Sequence, residues 1–197
     1  MSYSQNGEDK IILELVKDIE KGTVLDIGAY TGKENSNSLA LIEKGWKGVL
    51  VEPSPWAFAE AAKLHANNPN VTLVNAAIGT ERRMVKFYEA AGTQYSSTSE
   101  KSKARWVNEK LDWREYWVSQ IKVSDLINAV GASADVLSID CEGTSVDILM
   151  NCPLSTWSPK VVIVEHDMKC EAIAAWMRAR DYRIQDLSGE NCVFVKL

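Results

Sequence analysis

Apolar positions along the chain fall into short blocks with two rhythms. Ile11, Ile12, Leu15, Val16 and Ile19 recur at spacings of three and four and stop before Gly22, which predicts an amphipathic helix. The apolar run at residues 23–27 reads as a buried strand. It leads through a glycine-bearing turn to a second helical pattern around Leu39, Ile42 and Gly45. The alternation then repeats: residues 48–51 predict a strand, and Ser54 caps a helix with Pro55 at its first position that runs toward Leu64. Further strands are expected at 71–74, 136–139 and 161–164, the last two followed by helical sequence at 145–150 and 170–180. Strands alternating with helices predict a parallel sheet. Residues 182–187 turn at 188–191 and return as 192–195, a hairpin pattern that closes the sheet with an antiparallel pair.

Residues 81–122 break this rhythm. They hold nine Lys and Arg against six acids, a net of +3 that leaves -8 for the rest of a chain whose total is -5. They also carry seven of the 16 aromatic residues: Phe87, Tyr88, Tyr95, Trp106, Trp113, Tyr116 and Trp117. A helical excursion at about 90–117 with its own small core is one reading. A lid or substrate platform, with residues 96–99 as a flexible rim and positive charge for an acidic acceptor, is the other. No repeat or linker divides the sequence, so one α/β domain over residues 1–197 is expected.

Composition narrows the classes. With 46% hydrophobic and 25% charged residues, disordered and fibrous architectures are excluded. No apolar run approaches the roughly 18–20 residues that cross a bilayer, and the opening MSYSQNGEDK has no basic segment followed by an apolar one, so a cytoplasmic protein without a membrane partner is expected. Cys141, Cys152, Cys170 and Cys192 form no C-x-x-C pair, which predicts neither a zinc site nor a disulfide framework but reduced, mostly buried thiols. The local excess of +3 is a weak footprint for nucleic acid beside the overall -5, so no nucleic-acid partner is expected.

The chemistry gathers at strand ends. VLDIGAYTG delivers Asp26 and then Gly28 and Gly32 into a turn before a helix, a place where backbone can approach a ligand closely. It is neither a P-loop nor G-x-G-x-x-G. VLVEP places Glu52 at the end of the neighbouring strand, 24 residues after Gly28, where an acid can accept two hydrogen bonds from a ribose. An acid at Asp26 opposes a pyrophosphate, so the combination favours S-adenosylmethionine over a dinucleotide. An NAD-dependent oxidoreductase is the runner-up, weakened because no tyrosine is followed four positions later by lysine.

With these motifs the sequence resembles the FkbM family of S-adenosylmethionine-dependent methyltransferases. SQNGED, VLDIGAYTG, VEPSP, VNAAIG, the pair Ser96 and Ser97, VSDLI, LSIDCEG and VIVEHD occur in that order across nearly the whole chain. The resemblance implies a class I methyltransferase fold, a Rossmann-like, doubly wound, mostly parallel seven-stranded sheet with an antiparallel last strand. It also implies methyl transfer to oxygen, on a hydroxyl of a sugar, a glycan or a small natural product such as a polyketide. It places Gly28, Ala29, Tyr30 and Gly32 against the methionine part of the cofactor, Glu52 on the ribose, Pro53 and Ser54 beside the adenosine, and Asn75 and Ala76 near the adenine edge. Gln5, in a segment that resembles a cover over the cofactor, would point inward. Asn is common in the family at Tyr30, and valine at Cys141.

An alcohol is a poor nucleophile at neutral pH, so a base or a metal that acidifies it adds rate. Asp140 and Glu142 follow the fourth strand of the predicted sheet, and Glu165, His166 and Asp167 follow the fifth, so both clusters are expected at one crevice. His166 is the leading base, Asp140 a group that orients the cofactor amine or the substrate, and Glu142 a partner for substrate hydroxyls; His65 reads as a surface residue. Asp140, Glu165 and Asp167 could alternatively collect magnesium, but no metal ligand is assigned. A different class of function is a degenerate domain that binds cofactor or a partner without turnover. Local motifs do not specify the oligomeric state.

Overall fold

The computed structural model describes residues 2–90, 92–105, 111–130 and 134–197, so Trp106 of the aromatic excursion lies outside the described residues. The elements run α1 (Glu8–Leu15), β1 (Thr23–Ile27), α2 (Leu39–Glu43), β2 (Lys47–Val51), α3 (Pro55–Leu64), β3 (Val71–Val74), β4 (Ala77–Gly79), β5 (Arg83–Ala90) and α4 (Glu100–Arg105). They continue as β6 (Trp113–Lys122), α5 (Val123–Val130), β7 (Val136–Ile139), α6 (Ser145–Met150), α7 (Leu154–Trp157), β8 (Val161–Glu165), α8 (Cys170–Arg178), β9 (Tyr182–Ser188) and β10 (Asn191–Lys196). A seven-stranded sheet has the order β3-β2-β1-β7-β8-β10-β9. Its β3-β2-β1-β7-β8 block is parallel, and β10 runs antiparallel to both β8 and β9.

The short apolar runs form strands because both faces of the sheet are covered. Leu25 and Ile27 of β1 join Val49, Leu137, Val164 and Phe194 in one core cluster, packed with Leu126, Ile148 and Ile173 of α5, α6 and α8. Val24 enters the opposite cluster with Ile12, Leu41, Trp46 and Ile163. Each such side chain contributes roughly 1.5–3 kcal/mol on burial. Ser54 caps α3 by accepting the Ala57 N–H at 3.0 Å, with Pro55 in the first helical position.

The middle of the chain departs from the helical expectation. Residues 83–90 and 113–122 pair as an antiparallel hairpin, from Arg83 opposite Gln120 to Ala90 opposite Trp113, and β4 adds in parallel to give a three-stranded sheet β4-β6-β5. Among the described residues there, only α4 is helical. Trp113, Tyr116 and Trp117 have the three-and-four spacing of a helix, but cross-strand pairing overrides it, sending Phe87 inward while Trp117 stays 66% exposed. Residues 96 and 97, within the expected rim, are hydrogen-bonded to β5. Ser97 pairs with Tyr88 through N–H···O bonds of 2.8 and 3.0 Å, and the Ala90 N–H donates to Ser96 Oγ at 3.1 Å. Among the described residues no helix is long and apolar enough to cross a membrane.

Candidate active site

The turn after β1 is built on backbone contact. Gly28 has φ 87°, and a Cβ there would lie 1.7 Å from the carbonyl oxygen of Asp140, so only glycine lets the ends of β1 and β7 touch. Its N–H and that of Ala29 donate to the Val51 carbonyl at 2.9 and 3.1 Å, joining the turn to β2 as well. Tyr30, at φ 49°, donates its N–H to Glu52 Oε2 at 2.9 Å, while the Ser54 N–H donates to Oε1 at 2.7 Å. Ser54 Oγ in turn donates to the buried carboxylate of Glu89. Asp26, on the face toward α2, accepts from Ser38 Oγ at 2.6 Å.

On the other side of the crevice, Glu142 and Gly143 take left-handed φ values of 44° and 92°. This turn is clasped by the second sheet: Ser97 Oγ donates to the Glu142 carbonyl at 2.6 Å, and a Cβ on Gly143 would meet Ser102 Oγ of α4 at 1.9 Å. Glu165 accepts from Ser145 Oγ at 2.9 Å, and that hydroxyl accepts the Cys141 N–H at 2.8 Å. Carboxylate oxygens of Asp140, Glu142 and Glu165 lie within 4.8 Å of one another. This trio, without Asp167, is where a cation could sit, but it offers three of the six or more oxygens a hard cation takes.

Between these walls lies a solvent-open cleft with about 1230 Å³ of empty space. Asp26, Glu34, Glu52, Asp140, Glu142 and Glu190 line it, and no lysine, arginine or histidine is among the described lining residues. Burial pushes the Glu52 carboxyl up to about 7 despite its two backbone donors. Burial raises Asp26 too, partly offset by Ser38 and Ser138. Asp140 is raised well above the usual carboxylate range by burial, then by Glu165 and Glu142; it is half-buried, and cleft solvent tempers the effect. Glu165 is raised by burial and then by Asp167.

The sequence model of the methyltransferase FkbM domain matches residues 26–184. The chain belongs to the FkbM methyltransferase family. Among curated proteins nothing matches it. The structure of methyltransferase FkbM from Methylobacillus flagellatus KT is 12% identical and aligns over 89% of this chain with a TM-score of 0.58, and this chain spans only 44% of that one. A methyltransferase from Geobacter sulfurreducens is 13% identical, covered over 100% of this chain and 82% of its own, at TM-score 0.54. Precorrin-6y C5,15-methyltransferase from Geobacter metallireducens GS-15 is 14% identical, with 95% and 85% covered, at TM-score 0.52. Identities this low speak for the fold alone, that of class I methyltransferases.

Within this FkbM fold, the residues expected to hold the cofactor divide. Gln5, Asp26, Gly28, Ala29, Tyr30, Glu52, Pro53, Ser54, Ala76 and Asp140 line the cleft, as does Glu142. Gly32 and Asn75 do not. Gly32 lies under the buried His65, whose Nε2 would be 3.2 Å from a Cβ there, so His65 is a packed residue 8% exposed and not a surface one. The Asn75 amide donates to the carbonyls of Glu52 and Pro53 at 2.8 and 3.3 Å, fixing the end of β2.

His166 is also outside the lining. Its Nδ1 accepts the Met168 N–H at 3.0 Å, and its Nε2 faces the Gly189 carbonyl at 3.2 Å, so both nitrogens are engaged with backbone and the tautomer that satisfies both carries its proton on Nε2. Such an imidazole clips the end of β8 to the β9–β10 turn and has no free lone pair for a substrate proton. Three basic residues of the middle segment are engaged elsewhere: Lys86 and Lys103 both bind Glu115 at 3.2 Å, and Arg82 Nε binds Asp125 at 2.7 Å. Among the described residues the cleft shows none of the positive charge expected for an acidic acceptor. The sequence reading missed Glu34, Asn35, Asn37 and Glu190 as lining residues, because each sits in a turn whose neighbours only the fold supplies.

Proposed function

We propose that this chain is an S-adenosylmethionine-dependent methyltransferase that acts on a hydroxyl of an uncharged sugar, glycan or small natural product. The observation that carries the reading is the lining of the cleft, where the described residues present six carboxylates and no cationic side chain. The cofactor's ammonium and sulfonium are drawn to such a lining, whereas the pyrophosphate of NAD is repelled by it, as is a phosphorylated or carboxylated acceptor. Backbone at Gly28 and Ala29 lies open at the cleft for close approach, Glu52 keeps lone pairs for ribose hydroxyls, and Ala76 and Ile78 give an apolar wall. The residues present therefore fit the group. When bound, it supplies an electrophilic methyl on sulfur.

The chain's own part is to orient and to move one proton. With His166 facing backbone, the proton acceptor passes to Asp140, whose raised affinity for a proton suits a base working near neutrality. Glu142 beside it and the hydroxyl of Thr98 offer hydrogen bonds that align an acceptor alcohol. Phe87 adds apolar surface to the same wall as Ala76 and Ile78. The deciding experiment is calorimetric titration with S-adenosylhomocysteine, with NADH as the control. Micromolar binding of the first alone is expected; binding of NADH alone, or of neither by folded, ligand-free protein, would sink the proposal. Turnover of neutral over phosphorylated sugars then separates this reading from a cofactor-binding domain without catalysis.

A further inference from the structure

Cys170 opens α8 and Cys192 lies in β10, and their sulfur atoms are 2.9 Å apart. That is inside the ~3.5–4.0 Å at which even carbon atoms rest in contact, and about 0.9 Å beyond a disulfide bond length of ~2.05 Å. Both backbones are anchored. Cys192 is in register with Val164 of β8 and Leu187 of β9. Cys170 follows a turn held by the Lys169 N–H on the His166 carbonyl at 2.7 Å, with the Ile173 N–H on Lys169 at 3.0 Å. Small side-chain rotations are enough to close the bond. The two thiols also differ in access, since Cys170 is half-buried and Cys192 is 0% exposed.

We infer that Cys170 and Cys192 are a reversible disulfide site, oxidised by a low-molecular-weight disulfide such as oxidised glutathione. The Cys170 thiolate attacks one sulfur of the reagent, a thiolate leaves, and Cys170 carries a mixed disulfide. Cys192 then gives its proton to the departed thiolate, directly or through water, and attacks Cys170 Sγ, releasing the second thiolate. Two protein thiols lose two electrons, and one small disulfide becomes two thiols. The order follows from access, and burial, which raises the Cys192 thiol well above its ordinary value, agrees that Cys192 resolves and does not initiate. The bond ties the first turn of α8 to β10, two residues from Glu190 at the cleft. Cys141 and Cys152 are distinct: burial raises both thiols, and their sulfurs face the backbone carbonyls of Ile27 and Ile148.

The test uses the folded full chain. It is incubated with oxidised glutathione, blocked with N-ethylmaleimide and mapped by mass spectrometry without reduction. The expected result is a cross-linked peptide joining Cys170 to Cys192, with the buried Cys152 alkylated only after unfolding, and recovery of both thiols on adding dithiothreitol. Cys192→Ala should trap glutathione on Cys170, whereas in Cys170→Ser the remaining Cys192 should stay unmodified. Four intact thiols in the parent chain, a mixed disulfide on Cys170 that never passes to Cys192, or direct glutathionylation of Cys192 in the folded Cys170→Ser variant would each overturn the inference.

Discussion

Two sets of buried carboxylates lie close together in this molecule and are held in opposite ways. Glu8 and Asp9 begin α1, and donors close around them. Asn191 Nδ2 and the Asn6 N–H bind Glu8 at 2.9 and 2.8 Å, while Ser2 Oγ and the Tyr3 N–H bind Asp9 at 2.6 and 2.7 Å. Burial alone would raise both, yet these bonds draw them below their ordinary values. At the cleft and just behind it, burial prevails and like charges add to it: Glu52 and Asp140 of the lining rise, and so does Glu165 beside Asp140. The first set is satisfied by donors within the chain, whereas the second has fewer donors for its charge and, among the described lining residues, no cation facing it. Neighbouring residues divide the two, for Asn191 holds Glu8 while Glu190 faces the cleft. Acids raised by both burial and crowding mark places where a ligand completes the electrostatics.

The largest expected effect that sharpens this contrast is at Asp140. Asp140→Asn should lower turnover by at least about 100-fold and abolish the acid limb of the pH–rate profile, while thermal melting at pH 8 is unchanged or higher. Turnover within about threefold of the parent would remove Asp140 as the base. Next, Glu8→Ala should cost about 2 kcal/mol in urea unfolding, because it strands the donors of Asn191 and Asn6, and should leave affinity for S-adenosylhomocysteine nearly unchanged. Glu52→Ala should do the reverse, weakening that affinity more than about tenfold (~1.4 kcal/mol) for a smaller loss of stability. If the two variants behave alike, the distinction between the sets fails.

A pH series tests the same contrast without substitution. Glu52 binds its proton more tightly folded, at about 7, than at its ordinary 4.5. Its contribution is therefore fully present below the lower value and is lost as pH rises through the upper one, by roughly 3 kcal/mol. Glu8 and Asp9 have the opposite sign: their contribution is present above their ordinary values and is lost as pH falls through the lowered ones. Melting temperatures without ligand should peak at about pH 5 and decline toward pH 8, and S-adenosylhomocysteine should flatten that decline. A steady rise from pH 5 to pH 8 would contradict it. The smallest effect is expected for His166→Ala, about 1 kcal/mol of stability with affinity and pH profile intact.

Much of this was legible in the sequence. The strands at Thr23–Ile27, Val71–Val74 and Val136–Ile139 and the helix at Pro55–Leu64 lie where apolar runs, cap and proline put them, because local chemistry and burial agree there. The position of Asp26, Gly28 and Glu52 at the cleft was likewise readable, since each stands at or just after the carboxyl end of a parallel strand, where such crevices open. The second sheet was not, because Trp113, Tyr116 and Trp117 imitate a helix and the buried charge of Glu89 interrupts the alternation of Val85 and Phe87. His166 stands at the right strand end but faces the terminal hairpin, a partner no local pattern names. The burial of His65 depends on the missing side chain of Gly32, and the approach of Cys170 to Cys192 on the packing of α8 against β10.

The join between β1 and β7 governs when the cleft can come into existence. The Thr23 N–H rests on the carboxylate of Asp135, 112 positions later, and Gly28 touches Asp140. During synthesis the glycine turn and Glu52 emerge from the ribosome long before β7 exists to give them a floor. Pairings so remote in sequence form late and slowly. A ligand that needs both walls therefore cannot template the early stages of folding. It can only select the finished chain from those still assembling, a checkpoint on completion set by the order of the strands.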